Sequence, residues 1–142
     1  MNRTPAILTA LLTILVLAPS AQAQIGQPPE LQTSFMMLNQ HVCPAQNMEQ
    51  VMDIARQQLA PALAQMKAAG EISEWGILTH AWGDEYNFNF YLITADIDRF
   101  VSTAWPSLLA RTTELDPDWF DRFAPLCTMH KDNLYTVRSD GG

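Results

Sequence analysis

The strongest constraint on the fold is a change of hydrophobic period that repeats along the chain. Over residues 47–69, Met48, Val51, Met52, Ala55, Leu59, Ala62, Leu63 and Met66 recur at three- and four-residue steps. That spacing makes one buried stripe on a helix. Asn47 and Gln50 form a capping-box-like start, and Gly70 is a stop. Pro61 falls inside; it removes a backbone donor and predicts a kink. A second helix is predicted over 96–113, with Asp96 as N-cap and Ile97, Phe100, Val101, Ala104 and Leu108 as its stripe. Pro106 predicts a kink there too. Asp116-Pro117 opens a short third helix that ends by Pro125.

Between these helices the pattern is that of strands. Residues 33–42 are a short apolar run stopped by Cys43-Pro44. Residues 72–82 and 87–93 read as a hairpin turning at Gly83-Asp84-Glu85-Tyr86. Pairing Trp82 with Asn87 sorts the hairpin into two faces. Trp75, Ile77, Thr79, Ala81, Phe88, Phe90 and Leu92 make a face for packing against helices. Leu78, His80, Trp82, Asn87, Asn89, Tyr91 and Ile93 make a mixed, aromatic and amide-rich one. Residues 132–138 are the last strand, and 139–142 a tail. The order β, α, β, β, α, short α, β is the split βαβ, ferredoxin-like α+β arrangement. It predicts a four-stranded antiparallel sheet in the order 4-1-3-2 with helices on one face. The single α+β domain spans residues 33–138.

The first 23 residues stand apart. Arg3 precedes an apolar run from Ala6 to Ala18, followed by Pro19 and Ala21-Gln22-Ala23. This is the n-region, h-region and cleavage site of a signal peptide, and the run is too short to span a bilayer. Cleavage is expected after Ala23, leaving residues 24–32 as a flexible leader and a periplasmic or secreted protein. The formal charge of −7 becomes −8 without Arg3. That acidity argues against nucleic acid and against an anionic membrane surface as partners.

Only two cysteines occur, Cys43 and Cys127. In an oxidising compartment an even count favours a disulfide. The topology agrees, since strand 1 ends where strand 4 begins. A bridge closing so long a loop stabilises by about 4 kcal/mol on a loop-entropy argument.

The βαββαβ order, one helix-covered face and one mixed open face resemble the dimeric α+β barrel superfamily. Its members include cofactor-free antibiotic-biosynthesis monooxygenases, stress-responsive barrel proteins and NIPSNAP-like proteins. The resemblance is one of topology, without a shared motif, and carries no catalytic residue across. It implies a homodimer in which two open faces enclose a cavity.

That topology also gathers the polar residues. His41, His80 and His130 all fall at one end of the sheet. If Asn39 and His41 share the mixed face, they join His80, Trp82, Asn87, Asn89 and Tyr91 as a floor for a small, partly apolar ligand. His80 or His41 is then the candidate proton-handling residue. Strand spacing puts those two about 9–10 Å apart at the backbone, too far for an easy shared metal, so neither metal nor cofactor is expected. Asp84 and Glu85 read as solvated turn acids. No G-x-S-x-G or glycine-rich phosphate loop appears. The reading is therefore a ligand-binding or dimeric interaction module. A cofactor-free oxygenase or isomerase and a purely structural dimer are the alternatives.

Overall fold

A computed structural model of the chain describes residues 32–82 and 85–139. The expected signal peptide, most of the leader, Gly83, Asp84 and the last three residues lie outside the described residues. Among the described residues there are four strands: β1 (Gln32–Val42), β2 (Glu74–Thr79), β3 (Phe88–Thr94) and β4 (Met129–Ser139). They form one antiparallel sheet in the order β2-β3-β1-β4, which is the expected order read from the other edge. β1 and β4 reach further than expected, and β2 is shorter. β1 takes in Gln32 from the leader, and β4 runs from Met129 to Ser139.

Two helical rods cover one face. The first comprises α1 (Met48–Ile54), a π-turn (Ala55–Leu59) and α2 (Ala60–Ala68). The second comprises α3 (Ile97–Arg99), a π-turn (Phe100–Ala104) and α4 (Trp105–Leu115). A short helix, α5 (Trp119–Phe123), leads through a 3-10 turn (Ala124–Leu126) into β4. Each π-turn ends two residues before a proline, Pro61 or Pro106. Ala60 donates its N–H to the Ala55 carbonyl, and Trp105 donates to that of Phe100. Proline has no N–H, and its ring clashes with the carbonyl four residues back. Widening the preceding turn moves that carbonyl aside, so the chain meets each proline with a π-turn.

Two helix ends follow local chemistry; α5 has Asp118 at its N-cap position, with no side-chain cap bond, rather than the expected cap Asp116. The Asp96 carboxylate accepts from Arg99 N–H at 2.7 Å, a side-chain N-cap. Gly70 has φ +69°, while Glu71 N–H reaches the Met66 carbonyl and Gly70 N–H that of Lys67. This is a glycine-closed Schellman-type end. Asn47, the expected first cap, makes no capping bond. A 3-10 turn (Ala45–Asn47) precedes α1, and the Asn47 amide instead donates to the Leu126 carbonyl at 2.8 Å.

The core lies between the sheet and the rods. Val51, Ala62, Leu63, Met66, Phe88, Leu92 and Ala104 are fully buried there. The hairpin register differs from the expected one by two residues: Thr79 stands opposite Phe88, and His80 N–H donates to the Asn87 carbonyl. A slip of two keeps every side chain on its face, so Trp75, Ile77, Phe88, Phe90 and Leu92 still point to the helices. The Asn87 N–H donates to the His41 carbonyl, and its carboxamide both accepts from Cys43 N–H at 2.8 Å and donates to the Cys43 carbonyl at 2.6 Å. These bonds hold the start of β3 against β1. Cys43 and Cys127 form the disulfide, beside a Thr128 N–H to Val42 carbonyl bond of 2.8 Å.

Candidate functional site

The parity of β1 decides where its polar residues go. Met37, Asn39, His41 and Cys43 are the buried set. His41 stands opposite Phe88, and Asn39 opposite Phe90. Asn39 and His41 therefore face the helices, while His80, Asn89 and Tyr91 belong to the other side of the sheet. The expected convergence of His41 with His80 does not occur. Both faces of β1 mix apolar and polar residues, so its pattern alone does not fix the parity. The buried disulfide and the partners waiting on β4 do.

Those partners are His130 and Asp132, which pair across the β1–β4 ladder with His41 and Asn39. The Asn39 amide group donates to the Asp132 carboxylate, and the Asn39 carbonyl is bonded to His41 Nε2. The His41 ring lies edge-on to Phe123 at 5.0 Å and stacks on His130 at 6.0 Å. Its pKa is lowered from 6.5 to about 4 by burial first and then by the neighbouring His130, against a smaller pull from Asp132. His41 is thus a neutral imidazole over the ordinary pH range.

This polar chain forms one wall of a pocket of about 450 Å³, within the range of small-molecule sites. The rods and α5 supply the remaining walls. Leu59 comes from the first rod, Trp105 and Leu108 from the second, and Trp119, Phe120 and Phe123 from α5. Cys127 lines the pocket as well, so the disulfide anchors the wall that α5 contributes. The pocket residues missed in the sequence are Asp132 and this aromatic set. Two signals pointed to them: Asn39-x-His41 and His130-x-Asp132 share a spacing of two on adjacent strands, and Trp119, Phe120 and Phe123 crowd one short helix.

The remaining site candidates lie outside the pocket. His80 is exposed, and Trp82 is 93% exposed at the hairpin tip. Asn87 is committed to Cys43, as described above. The Asn89 amide donates to the Tyr86 carbonyl at 3.2 Å, and its buried carbonyl oxygen has no partner among the described residues. The Tyr91 ring lies over Gly76, where a Cβ would come within 2.5 Å of it. The open face also carries Leu78 and Tyr135, 47% and 44% exposed. Among the described residues no group of three or more His, Cys, Asp or Glu side chains is arranged to hold a metal. No described helix is long and apolar enough to cross a membrane.

No protein-family profile matches the chain, and no curated protein matches it. Solved structures do. A NIPSNAP family protein from Agrobacterium tumefaciens is similar at a TM-score of 0.56 and 11% identity, covering 72% of this chain and 90% of its own. A dimeric ferredoxin-like protein from an uncultured marine organism is similar at 0.57 and 9% identity, covering 80% and 93%. A protein provisionally assigned as an antibiotic biosynthesis monooxygenase from Nitrosomonas europaea is similar at 0.50 and 14% identity, covering 76% and 92%. At these identities the likeness is one of fold. The chain has the ferredoxin-like fold found in dimeric α+β proteins.

Proposed function

We propose that this chain is an exported, homodimeric binding protein that holds a small, largely apolar ligand in the pocket between sheet and helices. The observation that carries the reading is the pocket itself, about 450 Å³ with one short polar wall facing aromatic walls. Such a site gains affinity from apolar contact and orientation from a few polar groups. The open face is assigned to the dimer contact: Leu78, Tyr91 and Tyr135 lie on it, and exposed apolar patches of this kind mark association surfaces. Export is consistent with the N-terminal pattern and with the disulfide.

The enzymatic alternative makes His41 the base of a cofactor-free oxygenase or isomerase. A general base works best with a pKa near ambient pH, and His41 lies well below that, at about 4. The arrangement supports hydrogen bonding better than proton abstraction. His80 lies on the opposite face and does not line this pocket.

Native mass spectrometry of the mature protein from its own compartment tests both parts. A dimer carrying extra small-molecule mass is the expected result. In parallel, the neutral fluorophore N-phenyl-1-naphthylamine should brighten with wild-type protein and not with Ala124→Trp, which places a large ring at an exposed pocket-lining position. A monomer would sink the dimer assignment. Equal brightening of the variant would sink the pocket assignment.

A further inference from the structure

We infer that the polar wall of the pocket receives a neutral hydrogen-bond donor, because Asp132, acting through Asn39, fixes His41 in the tautomer that leaves the Nδ1 lone pair free to accept. The inference rests on the pocket reading above and names the chemistry of its ligand.

The assignment runs along the hydrogen-bond chain. The Asp132 carboxylate has no proton to give, so the Asn39 atom facing it is the amide nitrogen. The carboxamide is planar, so its other end, facing His41, is the carbonyl oxygen. That oxygen can only accept, so His41 Nε2 carries the hydrogen. A neutral imidazole has one N–H, which leaves Nδ1 as the acceptor of a ring that lines the pocket. Asp132 is thus a positioning residue, 93 residues away in sequence from the asparagine it orients.

The same wall disfavours an anion. Asp132 brings a negative charge, and His41 offers no positive charge against it until the pH falls toward 4. His130, stacked on His41, is the other titratable side chain on this wall. Trp105, Trp119 and Phe123 on the facing walls make any charged ligand costly to desolvate. A flat, neutral molecule with an N–H or O–H group fits both the shape and the polarity.

The test begins with the free protein. Long-range ¹⁵N NMR of the mature protein at pH 7 should show His41 protonated on Nε2 and not on Nδ1. In Asp132→Ala the carboxamide can turn, and the two tautomers should mix. Protonation on Nδ1 in the wild type, or a tautomer indifferent to Asp132→Ala, would overturn the inference. If that variant fails to fold, the wild-type tautomer and a ligand pair decide. Indole and benzofuran share a shape and differ in N–H against O. Indole should bind about three- to tenfold more tightly, the worth of one hydrogen bond, and should shift the Nδ1 resonance where benzofuran does not. Equal affinities, or tighter binding of indole-2-carboxylate, would overturn the ligand class and leave the pocket standing. Binding of neither indole nor benzofuran would sink the pocket reading and the ligand class together.

Discussion

The buried His41 makes the stability of this fold depend on pH in a defined window. Its pKa is near 6.5 in the unfolded chain and about 4 in the folded one. Between these values the unfolded state binds the proton more readily, so stability falls as the pH falls from about 6.5 to about 4. A group with these two values loses about 2 kcal/mol of stability between pH 7 and pH 5, and about 3 kcal/mol over the whole window. The ring lines the pocket and is not fully shielded from solvent screening, so 1–2 kcal/mol is the expected drop, roughly, between pH 7 and pH 5. Glu71 and Glu74 do not obscure it. Burial works to raise the Glu71 pKa, but Ser107 and Arg111 outweigh it, and the Lys67 contact lowers Glu74. Both act below the ordinary value of 4.5. Urea unfolding at pH 7 and at pH 5, in wild type and His41→Gln, isolates the contribution. The wild type should lose stability on acidification and the variant should lose at least 1 kcal/mol less, roughly. Equal losses would refute the claim that burial keeps His41 neutral.

Three further outcomes follow from other contacts. Reducing the Cys43–Cys127 bridge, which spans 84 residues, should lower unfolding stability by about 4 kcal/mol; a loss under about 1 kcal/mol would mean the bridge adds little beyond the strand pairing beside it. Asn87→Ala removes both carboxamide bonds to the Cys43 backbone and should cost about 1–3 kcal/mol with the dimer mass unchanged; a lost dimer with unchanged stability would move Asn87 to the interface. Arg111→Ala frees Glu71 and Gln65, should cost about 1 kcal/mol, and should raise hydrogen exchange at residues 69–72, where the first rod turns toward β2.

The topology was legible because it rests on the alternation of two hydrophobic periods, which local propensity and tertiary packing both enforce. The disulfide was legible for the same reason, since the element order brings Cys43 to Cys127. Register was less so. A slip of two residues keeps every side chain of the hairpin on its face, so the apolar pattern fits the expected pairing and the observed one equally. The site was legible only in part. His41 and Asn39 stood out by residue type, but β1 carries polar residues on both faces, so its orientation depends on Asp132 and His130 across the ladder. The wall from the second rod was hidden because Leu108 belongs to an apolar stripe that reads simply as core, and Trp105 lies outside that stripe.

The two π-turns bear on how this chain can change length. A π-turn holds one residue more than the α-helix around it requires. Removing one residue from 55–59 would return the first rod to a regular helix while leaving α1 and α2 in their places. Pro61 would then stand against the carbonyl four residues back. The extra residue and the proline therefore form a linked pair, and the same holds for residues 100–104 and Pro106. A deletion here should succeed only when the proline is replaced with it, and in the first rod it must spare Ala55 and Leu59, which line the pocket.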